Sequence, residues 1–106
     1  MGPQANSSCL LGSPYPNLGG CELSGINLDD FSIRHANFGN ADLSGASLLG
    51  ADLSLTNFKN ANLSGANLTG ANLTGANLTG ANLTNAQLSG ATCPNGIVHG
   101  QSGANC

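Results

Sequence analysis

Residues 61–85 read ANLSG ANLTG ANLTG ANLTG ANLTN, five near-identical units of five residues in a row. In each unit Leu is the central residue, position i. Ala stands at i−2, Asn at i−1, Ser or Thr at i+1, and Gly or Asn at i+2. The same register runs from Pro16 to Asn95 and gives sixteen units. A repeat of fixed period indicates a fold that stacks one small unit many times.

The unit suits an extended chain that bends every five residues, and it does not suit a helix. A Gly at every fifth position would cost a helix about 1 kcal/mol each time, and the Leu side chains would not form one stripe. In an extended segment we expect the central Leu to point inward and its two polar neighbours to point outward. Gly at i+2 suits the positive φ of a type II turn. Asp30, His35 and Leu55 occupy this corner in three units, and we expect their turns to differ from type II.

The pattern closely resembles the A(D/N)LXX units of the pentapeptide-repeat family. The resemblance implies an all-β fold, the right-handed quadrilateral β-helix, with four units per coil and therefore about four coils of four pentapeptides. It divides the chain into an N-terminal cap (1–15), a β-helix (16–95) and a C-terminal tail (96–106). A coil of twenty residues predicts two interior columns, one of Leu18, Phe38, Phe58 and Leu78, the other of Leu23, Leu43, Leu63 and Leu83.

Both ends of such a rod need a cover, since a solenoid otherwise exposes a strand edge and the ends of its Leu columns. At the N-terminal end large residues stand where Ala is the rule. We expect these to plug the rod from within, under a lid of other apolar residues: Phe31 and Ile26 inside, Leu10, Leu11 and Tyr15 above. At the other end we expect Ile97 and Val98 to form the cover.

Four cysteines allow three pairings. Cys9 and Cys21 bracket the cap, and Cys93 and Cys106 bracket the tail. Four coils about 4.8 Å apart make a rod roughly 19 Å long, whereas a disulfide needs Cα atoms within about 7 Å, so we expect each pair to close its own end. The tail also resembles the terminal clasp of exported members of the family. Two disulfides would place the chain in an oxidising compartment: the periplasm, the thylakoid lumen or the extracellular space. Buried free thiols in a cytoplasmic protein are the alternative.

Charge is sparse and uneven. The chain has two Lys and Arg against five Asp and Glu, a net charge of −3. All seven precede Ala61, so the second half presents a neutral surface of Asn, Ser and Thr. This distribution lacks the basic footprint of a nucleic-acid-binding protein, and nucleic acid is not an expected partner. No apolar run reaches the length of a transmembrane segment.

The sequence contains no motif that carries chemistry. There is no G-x-S-x-G, no H-E-x-x-H and no P-loop. Cys93, His99 and Cys106 lack the close spacing of zinc ligands, so we expect no metal site. We therefore expect neither catalysis nor a cofactor.

The leading functional hypothesis is a non-catalytic, monomeric rod whose outer faces bind a protein or an envelope component. The best-ordered outer face combines the i−1 and i+1 residues of every fourth unit. This candidate binding face consists of Glu22, Ser24, Asp42, Ser44, Asn62, Ser64, Asn82 and Thr84.

Two alternatives remain. The pentapeptide-repeat family includes acidic, dimeric quinolone-resistance proteins that mimic DNA and bind gyrase, but this chain is shorter, and its second half is uncharged. An ice-binding surface would need paired Thr columns. The Thr residues of successive units should instead lie on four different faces: Thr69, Thr74, Thr79 and Thr84.

Overall fold

The structure, a computed structural model, describes Cys9 and residues 16–106. From residue 16 to 95 it repeats one pattern, a single-residue β-bridge at i−1 followed by a turn at i+1 and i+2. All bridges between units are parallel and join residues twenty apart, from Asn17 with Asn37 to Asn72 with Thr92. The chain thus bends every five residues and returns over itself every twenty, which is a β-helix with four faces.

We number the four faces in chain order and identify each by its bridging residues. The first face contains Asn17, Asn37, Asn57 and Asn77; the second, Glu22, Asp42, Asn62 and Asn82; the third, Asn27, Ser47, Asn67 and Gln87; the fourth, Ser32, Asp52, Asn72 and Thr92.

Main-chain hydrogen bonds join each unit to the units above and below it. On the second face, Leu43 N donates to Asn62 O at 2.7 Å, and Asn62 N donates to Ala41 O at 2.9 Å. Each corner is closed by a bond across the turn, such as Ala46 N to Leu43 O at 3.0 Å. Three bonds between each pair of stacked units and one at each corner leave the backbone little freedom, so the outward side chains have fixed positions.

The central residues fill the interior, as the repeat predicts. Phe38 and Phe58 have no exposed surface, and their rings stack with centroids 5.2 Å apart and an interplanar angle of 5°. The predicted column through both Phe residues is therefore confirmed. In the second column the Leu residues from 23 to 63 are buried, and Leu83 at the open end is half-buried. Each fully buried Leu stabilises the fold by about 1.5 to 3 kcal/mol.

The prediction that non-glycine corners form different turns is wrong. The corner glycines of residues 16–95 have φ between 66° and 72°, and Asp30, His35 and Leu55 also have positive φ, 60°, 62° and 60°. The same hydrogen bond closes these corners, as shown by Thr56 N and Leu53 O at 3.3 Å. Because the ladder fixes the backbone on both sides of a corner, the left-handed conformation is imposed on whichever residue stands there.

The predicted N-terminal plug is also wrong for Phe31, which is 43% exposed. Phe31 stands at i−2, directly after the Asp30 corner, where most units have Ala, and its phenyl ring is too large to be enclosed there as the Ala side chains are. Ile26 is half-buried and packs against the core. The proposed lid residues Leu10, Leu11 and Tyr15, like the rest of the cap apart from Cys9, lie outside the described residues.

The tail covers only part of the C-terminal end. It turns back so that Val98 forms an antiparallel bridge with Thr92, and Cys93 N donates to Ile97 O at 2.9 Å. Ile97 and Val98 are half-buried there, which extends the fourth face alone. The last central residues of the other faces stay half-buried: Leu78, Leu83 and Leu88. Within the described part of the chain, no helix could span a membrane.

Candidate binding surfaces

The eight residues of the candidate binding face do come together. The parallel bridges align Glu22, Asp42, Asn62 and Asn82 in one column, and each is followed two residues later by Ser or Thr. All eight are half-buried or exposed. The second face is therefore a continuous polar strip that is acidic towards the N-terminal end and neutral towards the other.

Local hydrogen bonds hold the side chains of this strip. Asp42 Oδ1 accepts the main-chain N–H of Ser44 at 3.0 Å and the Ser44 hydroxyl at 2.7 Å. Asn62 Oδ1 accepts the N–H of Ser64 at 3.0 Å in the same way. The Ser44 hydroxyl, followed by the Ser44 N–H, lowers the pKa of Asp42 below its ordinary value of 3.8, because both bonds favour the carboxylate.

The first face carries a ladder of asparagine amides. Asn37 Nδ2 donates to Asn17 Oδ1 at 3.1 Å, and Asn57 Nδ2 donates to Asn37 Oδ1 at 3.2 Å. In such a ladder each side-chain amide forms hydrogen bonds with the amides of neighbouring coils along the rod axis. These side chains already bond to one another, so the first face has less free hydrogen-bonding capacity for a partner.

A different surface carries large exposed apolar residues, and the repeat pattern predicts no binding role for it. Phe31, Leu49 and Leu55 are 43%, 41% and 48% exposed. Phe31 and Leu49 flank the corner between the third and fourth faces, which Asp30 and Gly50 occupy. Leu55 forms the corner at the other side of the fourth face. Apolar side chains thus border both sides of the fourth face in its N-terminal half.

Between these corners lies a charged centre. Arg34 Nε donates to Ser54 Oγ at 3.1 Å and lies 3.9 Å from Asp52 Oδ2. Asp52 Oδ1 in turn accepts the N–H of Ser54 at 3.1 Å and its hydroxyl at 2.7 Å. The Arg34 side chain is oriented yet more than half exposed, so its guanidinium can still donate to a partner. We name this region, formed by Phe31, Arg34, Leu49, Asp52 and Leu55, the Arg34 surface.

Part of the Arg34 surface could have been found from the repeat register. Leu49 stands at i+1, where the other units mostly have Ser or Thr, and Leu55 stands at a corner. Both positions point outward in this register. Leu55 is also held at φ 60°, a conformation that costs a residue with a Cβ roughly 1 to 2 kcal/mol. Phe31 could not have been found in this way, because the sequence placed it inside.

The other two surface hypotheses find no matching arrangement. The four Thr residues 69, 74, 79 and 84 lie on the third, fourth, first and second faces. The acidic residues are spread over the second, third and fourth faces: Glu22, Asp29, Asp30, Asp42 and Asp52. Neither a paired Thr column nor a continuous acidic strip therefore forms on one face of the described array.

The cysteines form two disulfides in the pairing that the sequence favours. Cys9 bonds to Cys21 with Cα atoms 5.8 Å apart, and Cys93 bonds to Cys106 with Cα atoms 5.2 Å apart. The tail also brings His99 to the second disulfide, so that the ligand atoms of Cys93, His99 and Cys106 lie within 4.8 Å of one another. Sequence spacing could not show this cluster, because it depends on the reversal of the chain after Cys93.

Comparison with known proteins identifies the repeat. The family described as pentapeptide repeats matches residues 21–60 and 56–92, with eight copies. Among curated proteins, no sequence matches the chain significantly.

Three solved structures illustrate the likeness. A pentapeptide repeat protein (Rfr23) from the cyanobacterium Cyanothece 51142 is 47% identical, with a TM-score of 0.70, over 71% of this chain and 51% of that one. HetL, a pentapeptide repeat protein involved in heterocyst differentiation regulation from Nostoc sp. strain PCC 7120, is 39% identical, with a TM-score of 0.52, over 80% and 41%. A pentapeptide repeat protein from the thylakoid lumen of Arabidopsis thaliana is 29% identical over 84% and 68%, with a TM-score of 0.33. This chain thus spans about half of the length of the two cyanobacterial proteins.

Proposed function

Because this chain belongs to the pentapeptide-repeat family, whose members form right-handed β-helices, we propose that it is a non-catalytic, monomeric rod that binds a protein or an envelope component. The rod comprises about four coils of four pentapeptides over residues 16–95 and ends in the tail 96–106. No residue has a catalytic role in this proposal, and the function lies in which side chains the rigid backbone presents.

The observation that carries the proposal is the exposure of Phe31, Leu49 and Leu55 around Arg34. Apolar anchors beside an oriented Arg, with polar residues around them, are typical of the centre of a protein interface. Leu55 adds a conformational argument, because a left-handed, half-exposed Leu is not what stability alone would select. We therefore place the main contact on the Arg34 surface, and the candidate binding face is the second choice.

The fixed backbone supports this role. A partner that docks on a preformed ladder does not have to order it, so less binding energy is lost on association. The same rigidity keeps Arg34 between the two apolar corners, which rest on different rungs of one hydrogen-bonded framework.

We also propose that the rod works in an oxidising compartment: the periplasm, the thylakoid lumen or the extracellular space. Two disulfides that close the two ends support this proposal. Protein isolated from its native compartment should contain no alkylatable thiol, and four alkylatable thiols would contradict it.

Site-specific photo-crosslinking in the native source tests the binding proposal. A benzophenone side chain is placed at Leu49 on the Arg34 surface, at Ser24 on the candidate binding face, or at Thr79 on the first face as a control. We expect a discrete adduct from position 49, weakened when Leu55→Asn or Arg34→Ala is added, and none from position 79.

Three results would contradict the proposal. An adduct from position 24 alone would move the contact to the second face, and the absence of an adduct at all three positions would contradict protein binding. Inhibition of gyrase supercoiling by the purified, oxidised monomer would favour a DNA mimic instead.

A further inference from the structure

The tail disulfide has a third potential metal ligand beside it. The chain turns after Cys93, and His99 N donates to Ala91 O at 2.8 Å, which fixes residue 99 next to the last rung of the fourth face. Cys106 reaches the same place through its bond to Cys93. As a result, one ligand atom each from Cys93, His99 and Cys106 lies within 4.8 Å of the others.

The imidazole of His99 has a main-chain partner on one of its two ring nitrogens. Its Nδ1 lies 2.9 Å from the main-chain oxygen of Cys106. That oxygen can only accept, so in a neutral imidazole this bond places the proton on Nδ1 and the lone pair on Nε2. A main-chain oxygen on one ring nitrogen is the common outer partner of a histidine that binds a metal through the other.

We propose that the reduced form of this clasp binds a thiophilic divalent cation such as Zn²⁺ through Cys93 Sγ, Cys106 Sγ and a ring nitrogen of His99. Two thiolates and one imidazole are a ligand set that zinc prefers, with a fourth position open to water. In a tetrahedral site the two sulfurs lie about 3.8 Å apart, given Zn–S bonds of about 2.3 Å. Cα atoms 5.2 Å apart allow this separation through small side-chain rotations.

The disulfide must open before the metal can bind, and the chemistry balances as follows. A dithiol reductant transfers two electrons and two protons to the Cys93–Cys106 bond and is itself oxidised to a disulfide. The cation then displaces the two thiol protons, which pass to solvent. The clasp thus has two closed states, a disulfide under oxidising conditions and a metal-bridged form under reducing conditions.

The N-terminal disulfide is a built-in control. In the part of the chain that the structure describes, no other three Cys, His, Asp or Glu side chains converge on one point. Cys9 and Cys21 can therefore supply two thiolates without an imidazole, and a cation at that end should be held less tightly.

The test uses the full chain with Cys9→Ser and Cys21→Ser, so that only the tail pair remains. The chain is reduced without oxygen by a phosphine, which is then removed, and Co²⁺ is titrated as a spectroscopic substitute for Zn²⁺. We expect thiolate-to-cobalt charge-transfer absorption that saturates at one equivalent and is displaced by Zn²⁺. The oxidised chain should show none, and circular dichroism should show that the rod stays folded.

Two variants decide whether the assigned ligands are correct. His99→Ala should weaken Co²⁺ binding by at least about tenfold, the loss that even an outer partner of a ligand causes. A chain that keeps Cys9 and Cys21 but carries Cys93→Ser and Cys106→Ser, reduced in the same way, should lack the one-equivalent signal. The proposal is overturned if the reduced tail pair takes up no Co²⁺, if His99→Ala binds equally well, or if the N-terminal pair alone binds as tightly.

Discussion

Leu55 lies directly over Gly75, twenty residues further along the same corner. A Cβ added to Gly75 would stand 2.6 Å from Leu55 Cδ2, whereas a Cβ added to Gly70 would meet nothing within 4 Å. Both glycines are left-handed, with φ of 72° and 69°. A comparison of the two corners therefore separates the free-energy cost of a Cβ in the left-handed backbone conformation from the cost of its contact with Leu55.

Gly75→Ala should therefore destabilise the rod more than Gly70→Ala does. The left-handed conformation should cost each variant roughly 1 to 2 kcal/mol. Gly75→Ala should lose up to about 1 kcal/mol more, because the exposed end of the Leu55 side chain must rotate away from the new Cβ. Urea unfolding measures the free energy of unfolding of both variants, and adding Leu55→Gly to each should make their losses of stability equal. Equal costs without that change would show that Leu55 does not rest on Gly75.

The stacked rings of Phe38 and Phe58 give a second prediction. Phe38→Ala should lower the free energy of unfolding by about 3 to 5 kcal/mol, because it leaves a cavity in a fully buried column. Phe38→Leu should cost less, since Leu18 fills the equivalent position one coil above. Chemical denaturation compares the two variants, and a similar cost for both would mean that the interior column is not tightly packed.

The lowered pKa of Asp42 predicts a dependence on pH. Because the folded pKa lies below the ordinary 3.8, Asp42 contributes its full stabilisation above that value and loses it as the pH falls through the folded pKa. Asp42→Asn keeps an acceptor for the Ser44 N–H, as Asn62 does for Ser64, but removes the titration. The midpoint temperature of thermal unfolding, measured between about pH 6 and pH 2, should therefore fall less steeply with decreasing pH in Asp42→Asn than in the unaltered protein. Parallel curves would contradict this assignment.

Hydrogen exchange should report the uneven cover of the C-terminal end. The amides of Leu63 and Leu68 donate to Asn82 O and Gln87 O, so they should exchange slowly. Within residues 16–106, the amides of Leu83 and Leu88 have no acceptor, and they should exchange rapidly. Reduction of the tail disulfide should expose the Cys93 amide first and leave Leu63 protected. A protected Leu83 amide in the oxidised monomer would show that something covers this edge.

The sequence predicted the interior of the rod well, because its repeat dictates which side chain points inward. The Phe38 and Phe58 stack follows from a twenty-residue coil alone. The corners were less predictable, since Asp30, His35 and Leu55 take a conformation that their own preferences disfavour and that the neighbouring rungs impose. Phe31 was misplaced because its size was taken as a reason for burial, whereas its side chain is 43% exposed.

The sites depend on contacts that no local pattern encodes. Arg34 reaches Ser54 and Asp52 only because a coil returns after twenty residues. His99 meets Cys93 and Cys106 only because the tail reverses and pairs with the fourth face. The repeat could thus predict the eight residues of the candidate binding face, and its register also places Arg34 one coil above Ser54, but it could not predict the cluster around His99.

The central claim is that the Arg34 surface binds the partner, and the affinity of the crosslinked partner for purified rods tests it most directly. The variant Leu49→Asn/Leu55→Asn removes both apolar side chains and retains the corner geometry, because Asn tolerates the left-handed conformation found at Asn60. The matched control, Ser24→Asn/Ser44→Asn, alters the second face to the same extent. We predict that the Leu pair weakens binding by about tenfold or more, as expected for apolar anchors that contribute over 1 kcal/mol, while the Ser pair has little effect. Unchanged affinity in the Leu pair, with circular dichroism and unfolding like those of the unaltered rod, would contradict the account.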